Sequence, residues 1–341
     1  MNLPWADELA IDIGTANLHI SVKDGGVVVR EPAVVAYGEN RRQPVAFGLE
    51  ARRLLERAVE GVRVVQPIRH GVVADFDAAV ALLRHFIHKA LGRRPMLNPV
   101  VVTACPTACT PVEQRALQDA IRVAGGGRIL MVQKALAAAI GAGLPLDSIE
   151  TNMLVDMGAG ATDIGAVSMG LLSGGASPSL AGDRIDQAIV RHVKRTQGIR
   201  ISGTTAEEMK IQLGAVDPLL AGNGNGFSTS TDELQAYDVD MDEIPAVVAD
   251  ALIPIYDEIA WLIEQLPPKA RAEIGANGIM LTGGTSLLKG LSEQMAGWLG
   301  VPVRVATDPM SCTILGLQSI VNDMGALSLQ GRRFSYAASA L

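Results

Sequence analysis

One short pattern occurs twice in this chain of 341 residues. Residues 9–22 read LAIDIGTANLHISV, and residues 151–170 read TNMLVDMGAGATDIGAVSMG. Each copy has an apolar strand, an aspartate near its end, a glycine two residues later, a turn of small residues and a returning strand. Asp12 and Asp156 mark the two copies. A repeated strand–turn–strand start predicts two similar halves, and the natural arrangement of such halves is about a cleft.

The segments around the two copies alternate between strand and helix patterns. Apolar runs such as NPVVVTAC and RILMVQ are typical of buried strands, and a helical segment follows each of them. One helix has clear end signals, because Thr110 can cap it, Pro111 suits its first turn, Glu113 completes a capping box, and residues 125–127 are glycines. We therefore predict an α/β fold, and the length favours two domains.

The two turns are candidate phosphate-binding sites, because their N–H groups and hydroxyls can point into one concavity. Asp12 and Asp156 would then hold Mg²⁺ through water, since this ion keeps several waters and takes one or two carboxylates plus phosphate oxygens. The alternative is that the turns are ordinary hairpins and that the aspartates only cap them. The candidate turn residues are Gly14, Thr15, Ala16 and Asn17 in the first copy, and Gly158, Ala159, Gly160, Ala161 and Thr162 in the second.

A third element, LTGGTSLLKG, ends a buried strand at Gly283 and Gly284. Backbone without side chains there would let a flat base lie against the chain, and Ser286 can cap the helix that follows. In isolation, the same residues are a simple strand-to-helix turn.

Charge and cysteine content exclude some functions. The net charge of -7 argues against a general nucleic-acid binder, because no clustered basic surface accompanies it. Cys105, Cys109 and Cys312 have no ligand-like pairing and are interpreted as small core residues in a reducing compartment. No signal peptide and no run of 18 apolar residues are visible, so we expect a cytoplasmic protein.

Seven motifs then occur in one order over roughly residues 9–327: IDIGTAN, PIRHGVVADFD, AAAIGAGLP, VDMGAGATD, GDRIDQAI, TAEEMKIQLG and GIMLTGGTSLLKGL. Together they resemble the bacterial actin MreB and its close paralogues. This resemblance implies the actin-like ATPase fold, with two ribonuclease-H-like domains around a nucleotide cleft. It also implies four subdomains, namely IA (1–33, 74–147 and 312–341), IB (34–73), IIA (148–183 and 245–311) and IIB (184–244).

The resemblance implies that the chain binds ATP and Mg²⁺ and polymerises into paired protofilaments. These would lie on the inner face of the cell membrane and organise cell-wall synthesis and rod shape, with membrane proteins of wall synthesis as further partners. Glu207 and Lys210 match the positions that face ribose and base. Gly283, Gly284 and Thr285 are further candidate nucleotide-binding residues, although relatives carry Gly at the position of Thr285. The alternative for Glu207 and Lys210 is an exposed ion pair one helical turn apart.

Membrane attachment is expected at RRPMLNP, because Met96 and Leu97 fall where the family inserts an apolar loop and Arg93 and Arg94 could meet anionic lipid. Local packing of these loop residues is equally compatible with the sequence. MNLPWADE is too short to form a useful amphipathic helix.

One departure from the family concerns catalysis. Relatives place a glutamate that orients the attacking water at the position of Lys134, and a proline at Ala135. An ammonium has only donors, so Lys134 cannot accept a hydrogen bond from that water, whereas it could pair with the γ-phosphate. Gln133 could contact the water, but it is one residue out of register and neighbouring strand residues face opposite ways. We therefore predict ATP binding with slow or absent hydrolysis, unless Lys134 points away.

Three other functions remain open at the level of sequence. A small-molecule kinase of the same superfold needs a catalytic carboxylate that we cannot place beyond Asp12 and Asp156. A heat-shock chaperone would need a peptide-binding domain. A filament that positions plasmids or organelles has the same sequence chemistry as a filament that sets cell shape.

Overall fold

The computed structural model describes residues 7–39, 43–57, 59–92, 98–217, 219, 227–230 and 236–330. The strands are β1 (Glu8–Ile13), β2 (Asn17–Val22), β3 (Gly26–Pro32), β4 (Val35–Gly38), β5 (Pro44–Phe47), β6 (Val62–Val65), β7 (Ile68–Arg69), β8 (Val72–Val73), β9 (Val100–Cys105), β10 (Ile129–Gln133), β11 (Asn152–Met157), β12 (Thr162–Ser168), β13 (Leu171–Ala176), β14 (Phe227–Ser230), β15 (Ala236–Val239), β16 (Ile279–Thr282) and β17 (Val303–Val305). The helices are α1 (Gly48–Glu56), α2 (Phe76–Leu91), α3 (Pro111–Ala124), α4 (Lys134–Gly141), α5 (Gly182–Gln197), α6 (Gly203–Leu213), α7 (Ile244–Gln265), α8 (Pro268–Asn277), α9 (Leu291–Leu299) and α10 (Cys312–Gln330), with a 3-10 helix at Gly284–Leu287.

Two five-stranded sheets have the same topology. The first has the order β3-β2-β1-β9-β10, and the second has the order β13-β12-β11-β16-β17. In each sheet the first three strands form an antiparallel meander and the last two run parallel to the first strand. This confirms the predicted α/β fold of two similar halves, each started by one copy of the repeated pattern.

The two turns of the repeat are also equivalent in detail. Gly14 N donates to Asn17 O at 2.8 Å, and Gly158 N donates to Ala161 O at 3.1 Å. The register pairs Asp12 with the residue seven positions later in β2, and Asp156 with the residue seven positions later in β12. The sequence repeat is therefore a structural repeat.

Helices α4 and α10 form a tightly packed layer between the sheets. Leu136 and Ala138 of α4 share a core with Leu317 of α10, and that core includes Ala10 of β1 and Leu154 of β11. A Cβ at position 141 would collide with the carbonyl of residue 312, and one at position 316 with that of residue 137. The glycines and alanines therefore let the two backbones come together between the halves.

Each sheet has a second covering layer on its other face. Helices α2 and α3 pack on the first sheet, and α5, α6, α7 and α9 pack on the second. Strands β4, β5 and β6 with α1 form a small separate sheet that follows β3. No helix in the described ranges is both long and apolar enough to cross a membrane.

One of the two predicted helix caps is present in the structure and the other is not. The capping box of α3 is present, because Glu113 N donates to Thr110 Oγ1 at 3.3 Å and Thr110 N donates to Glu113 Oε2 at 2.8 Å. The prediction that Ser286 caps a helix is wrong. Ser286 lies within the 3-10 helix and its hydroxyl donates to Gly283 O at 2.6 Å, whereas α9 begins only at Leu291, after Gly290. Gly290, which has a left-handed φ of 81°, lies between the 3-10 helix and α9.

Candidate nucleotide-binding site

A cavity of ≈ 350 Å³ lies where β1 and β11 end, between the two sheets. Both repeat turns line it, together with the start of α4, one face of α6 and the 3-10 helix after β16. Its volume falls within the usual range for small-molecule sites, roughly 300–1,000 Å³. The predicted site residues that line it are Asp12, Gly14, Thr15, Ala16, Asn17, Lys134, Asp156, Gly158, Ala159, Gly160, Glu207, Lys210, Gly283, Gly284 and Thr285.

Strand periodicity explains why the two aspartates face the same space. In β1, Leu9 and Ile11 pack under α2 and α3, whereas Ala10 packs against the α4–α10 layer. Side chains alternate along a strand, so Asp12 shares the face of Ala10. The same alternation in β11 places Asp156 on the face of Leu154, which also packs against this layer. Both carboxylates therefore point toward α4.

Lys134 is the first residue of α4 and directly follows the last residue of β10. The strand ends at Gln133, which has extended backbone at ψ 133°. The next N–H, that of Ala135, donates to Thr107 Oγ1 at 3.1 Å, and Thr107 N donates to Asp163 Oδ1 at 2.7 Å. These bonds fix the helix start against β12. A lysine is disfavoured at the positive end of a helix dipole, so nearby anions have to compensate for it.

Those anions are the aspartates of the repeat. Lys134 Nζ lies 3.2 Å from Asp156 Oδ2, and Thr282 Oγ1 donates to Asp156 Oδ1 at 2.8 Å. The Lys134 side chain is 19% exposed and that of Asp156 is 5% exposed. Burial alone would lower the pKa of Lys134, but the neighbouring carboxylates, Asp156 foremost, raise it above its ordinary value. The lysine is therefore a buried cation at neutral pH.

Asp12 and Asp163 respond differently to this cation. Burial would raise the pKa of Asp12, but Lys134 and His19 lower it below its ordinary value. Burial raises the pKa of Asp163, and the attraction of Lys134 and the hydrogen bonds to this carboxylate do not offset it. Ser177 Oγ is one of these donors, at 2.6 Å from Asp163 Oδ1. Asp163 thus supports the start of α4, whereas Asp12 stays anionic beside the cavity.

The two repeat turns touch each other at one end of the cavity. A Cβ at Gly160 would collide with the Thr15 side chain, so only glycine allows this approach. Thr15 Oγ1 accepts from Gly71 N at 3.2 Å, and His70 Nδ1 lies 3.2 Å from Gly160 O. The chain between β7 and β8 therefore braces both turns, which converge as a phosphate site requires.

Gly283 and the 3-10 helix form another end of the cavity. Gly283 has a left-handed φ of 82°, and a Cβ there would collide with the backbone of Met157. Thr285 Oγ1 donates to Gly158 O at 2.9 Å, which joins this wall to the second turn. The side chains of Ile211, Leu287, Leu288 and Met310 line the space next to it. Such a wall suits the face of a nucleobase.

Glu207 and Lys210 both line this end of the cavity, but they do not pair with each other. Lys210 Nζ lies 2.8 Å from Asp186 Oδ1 and donates to Gly182 O at 3.4 Å. Burial raises the pKa of Asp186 to about 6, and the attraction of Lys210 does not fully offset it. Glu207 Oε2 instead lies 3.3 Å from Arg52 Nη2 of α1. The expected alternative of an exposed Glu207–Lys210 pair is therefore absent.

Four predicted residues lie elsewhere. Gln133 does not line the cavity, as the strand alternation predicts. Thr162 is fully buried and does not line it either; its hydroxyl donates to Leu180 O at 2.5 Å. The reason is that the second turn ends at Ala161, so Thr162 is already the first residue of β12. Met96 and Leu97 lie outside the described residues.

His19 and Asp163 also line the cavity, although the sequence patterns did not point to them. His19 Nδ1 lies 3.7 Å from Asp12 Oδ2, and this buried nitrogen has no hydrogen-bond partner within the described part of the chain. A signal was available, because each residue stands seven positions after a repeat aspartate and is its cross-strand partner. Comparing the two copies position by position would have found both.

The residues present fit a nucleotide but not the expected magnesium shell. Both oxygens of Asp156 already accept from donors, and the ammonium of Lys134 stands beside this carboxylate. A second cation there would be repelled by the ammonium. Asp156 therefore does not fit the expected role of holding Mg²⁺ through water, and the same ammonium also acts by its charge on Asp12.

Comparisons with known proteins agree with the fold and the cavity. The family profile described as MreB/Mbl protein matches residues 6–329. The cell shape-determining protein Mbl of Bacillus subtilis (strain 168) is 35% identical over 326 residues, which cover 95% of this chain and 98% of the relative. The crystal structure of MreB5 of Spiroplasma citri bound to AMPPNP has a TM-score of 0.86 at 27% identity and covers 96% of this chain and 99% of that one.

A further solved structure, the MamK double helical filament, has a TM-score of 0.78 at 21% identity and covers 92% of this chain and 98% of that one, which supports the fold alone. The family profile and the relative that is more than 30% identical each span nearly the whole chain. Together with the duplicated sheets around a nucleotide-sized cavity, they show that this chain belongs to the MreB/Mbl family of actin-like cytoskeletal proteins.

Proposed function

We propose that this protein binds ATP in the cavity between its two sheets and polymerises into filaments that organise cell shape and cell-wall synthesis. The paired turns supply N–H groups for the phosphates, and the wall at Gly283 and Gly284 receives the base. MreB5 of Spiroplasma citri binds the nucleotide AMPPNP in its crystal structure, and that chain matches this one over nearly its full length. Lys134 already lies beside Asp156, so no Mg²⁺ is assigned to this carboxylate.

The proposal includes slow or absent hydrolysis, and the position of Lys134 carries this part. Its Nζ points into the cavity and pairs with Asp156, so the lysine does not point away. An ammonium donates hydrogen bonds only and cannot orient an attacking water as a glutamate does. Gln133, the other side chain considered for that role, does not line the cavity. Bound ATP would therefore persist, and filaments would be long-lived.

The proposed partners are further copies of the chain and an anionic membrane surface. The location would be peripheral, on the cytoplasmic face of the cell membrane. Arg93 and Arg94 beside Met96 and Leu97 support the membrane part, because two cations next to two apolar side chains suit an anionic bilayer. The net charge of -7 does not favour nucleic acid as a partner. The division into four subdomains and the wall-synthesis partners belong to the same proposal.

Sedimentation tests polymerisation and membrane binding together. We expect the protein to pellet with ATP and to remain in the supernatant without nucleotide. With anionic liposomes, pelleting should increase, and substituting both Met96→Ser and Leu97→Ser should remove that increase. Leu219→Ser is the matched control, because Leu219 is 91% exposed on the described surface. Failure to pellet under every condition would favour a kinase of the same superfold or an assembly-inactive relative.

A further inference from the structure

The repeat aspartate of the second copy already has a cationic partner, and that of the first copy faces a histidine nitrogen. Asp156 accepts from Thr282 and pairs with Lys134 at 3.2 Å, and Asp12 Oδ2 faces His19 Nδ1 at 3.7 Å. Lys134 also lowers the pKa of Asp12, so one ammonium acts on both carboxylates. The position between the two strand ends is therefore occupied by a cation that belongs to the chain itself.

The lysine at position 134 changes the local charge by as much as a bound divalent metal ion would. A glutamate at position 134 would add a third carboxylate next to Asp12 and Asp156, beside the bound phosphates. Lysine instead of glutamate changes the local charge by two positive units, which is the charge that one divalent ion supplies. With Asp12 and Asp156 counted as -1 each and Lys134 as +1, the phosphates of ATP would meet three side chains of net charge -1 instead of -3, without any added metal.

The lysine is also held where it can act on phosphate. It begins α4, and the hydrogen bond from Ala135 N to Thr107 Oγ1 fixes that helix start. Its side chain retains 19% exposure and lines the same cavity as both repeat turns. Lysine binds phosphate as a point charge and needs no fixed approach angle. Its ammonium can therefore contact a phosphate oxygen while it remains beside Asp156.

We infer that the Lys134 ammonium replaces the divalent cation at this site, so that ATP binding does not require Mg²⁺. This inference rests on the proposed ATP-binding function. It concerns the cofactor requirement of the site, which is separate from the rate of hydrolysis. It predicts that the same cavity binds free ATP and Mg²⁺-bound ATP with similar affinity.

The direct test is ATP binding to the wild-type protein by calorimetry, once with excess Mg²⁺ and once with excess EDTA. We expect the two dissociation constants to agree within about threefold. Binding that is weaker in EDTA by more than about tenfold would overturn the inference and leave the proposed function standing. Absence of binding in both buffers would overturn the proposed function, and the inference with it.

Lys134→Glu tests whether the ammonium is responsible. This variant should bind ATP at least about tenfold more weakly in EDTA than in Mg²⁺. Lys269→Glu is the matched control with the same charge change, because Lys269 is 76% exposed on α8 and does not line the cavity; it should behave as wild type. A folded Lys134→Glu protein that remains indifferent to Mg²⁺ would refute the role of Lys134. If circular dichroism shows that this variant is unfolded, the wild-type comparison decides.

Discussion

Substituting Lys134→Met removes the ammonium and leaves two buried carboxylates without their cation. Breaking a buried ion pair by removing one partner costs about 3–5 kcal/mol, and the partial exposure of Lys134 places this pair at the lower end, about 3 kcal/mol. An unfolding entropy of about 2.1 cal/mol/K per residue, applied to a chain of this length, converts that loss to a decrease of about 4 °C in Tm. The substitution should therefore destabilise the nucleotide-free protein measurably.

The pH dependence of this loss has a defined sign. The folded-state pKa of Asp12 is lowered in the wild type, so its contribution to stability is fully present above the unfolded pKa and is lost as pH falls through the folded pKa. Without Lys134, the main group that offsets the effect of burial is gone, so the folded-state pKa of Asp12 should rise and the variant should lose stability relative to wild type as pH rises. The difference in Tm between wild type and Lys134→Met should thus be largest at pH 7 and decrease as the pH approaches the ordinary carboxyl pKa of 3.8.

Differential scanning fluorimetry of the nucleotide-free protein at several pH values measures both effects. Lys269→Met is the control, because it removes a lysine whose ion pair with Glu273 on the surface of α8 is 3.7 Å long and exposed on the lysine side. This control should melt with the wild type. A Lys134→Met protein that melts within about 1 °C of wild type at pH 7 would refute the conclusion that the carboxylates depend on this ammonium.

Three further predictions concern packing, cleft closure and cysteine reactivity. Gly316→Ala should destabilise the fold by about 1–3 kcal/mol, because the new Cβ would collide with the carbonyl of residue 137. Thermal unfolding measures this loss, and an unchanged Tm would contradict the close contact of α4 and α10. Arg52→Ala removes the ion pair that joins α1 to Glu207, so bound nucleotide should dissociate up to about fivefold faster. Stopped-flow fluorescence measures this rate, and an unchanged rate would show that the ion pair does not restrain the cleft. Hydrogen bonds from Cys105 and Gln114 lower the pKa of Cys109, whereas burial raises the pKa of Cys312. Mass spectrometry after iodoacetamide treatment should therefore find Cys109 modified first, and faster labelling of Cys312 would contradict this order.

The sequence contains much of the fold because its signals are local or repeated. The alternation of LAIDIG and MLVDMG assigns strands and places Asp12 and Asp156 on equivalent faces of the two strands. The capping box at Thr110 and Glu113 depends on residues three apart, so it could be predicted without any tertiary information. The duplication predicts two equivalent sheets.

The remaining features depend on contacts that no local pattern contains. The second turn ends at Ala161, so Ala161 lines the cavity while Thr162 is buried in β12. A shift of one residue in the strand register would exchange these positions. The partners of Glu207 and Lys210 come from α1 and α5, outside the helix that carries both residues. The position of Lys134 next to Asp156 likewise follows from the packing of α4 between two sheets.

Lys134 is proposed to separate ATP binding from ATP hydrolysis. The nucleotide content of pelleted filaments, measured by chromatography together with phosphate release from the same sample, tests this separation. We expect the filaments of the wild type to contain intact ATP and to release little phosphate, and we expect Lys134→Glu to gain phosphate release. Wild-type filaments that contain mainly ADP, with one phosphate released for each subunit, would contradict the proposed role of Lys134.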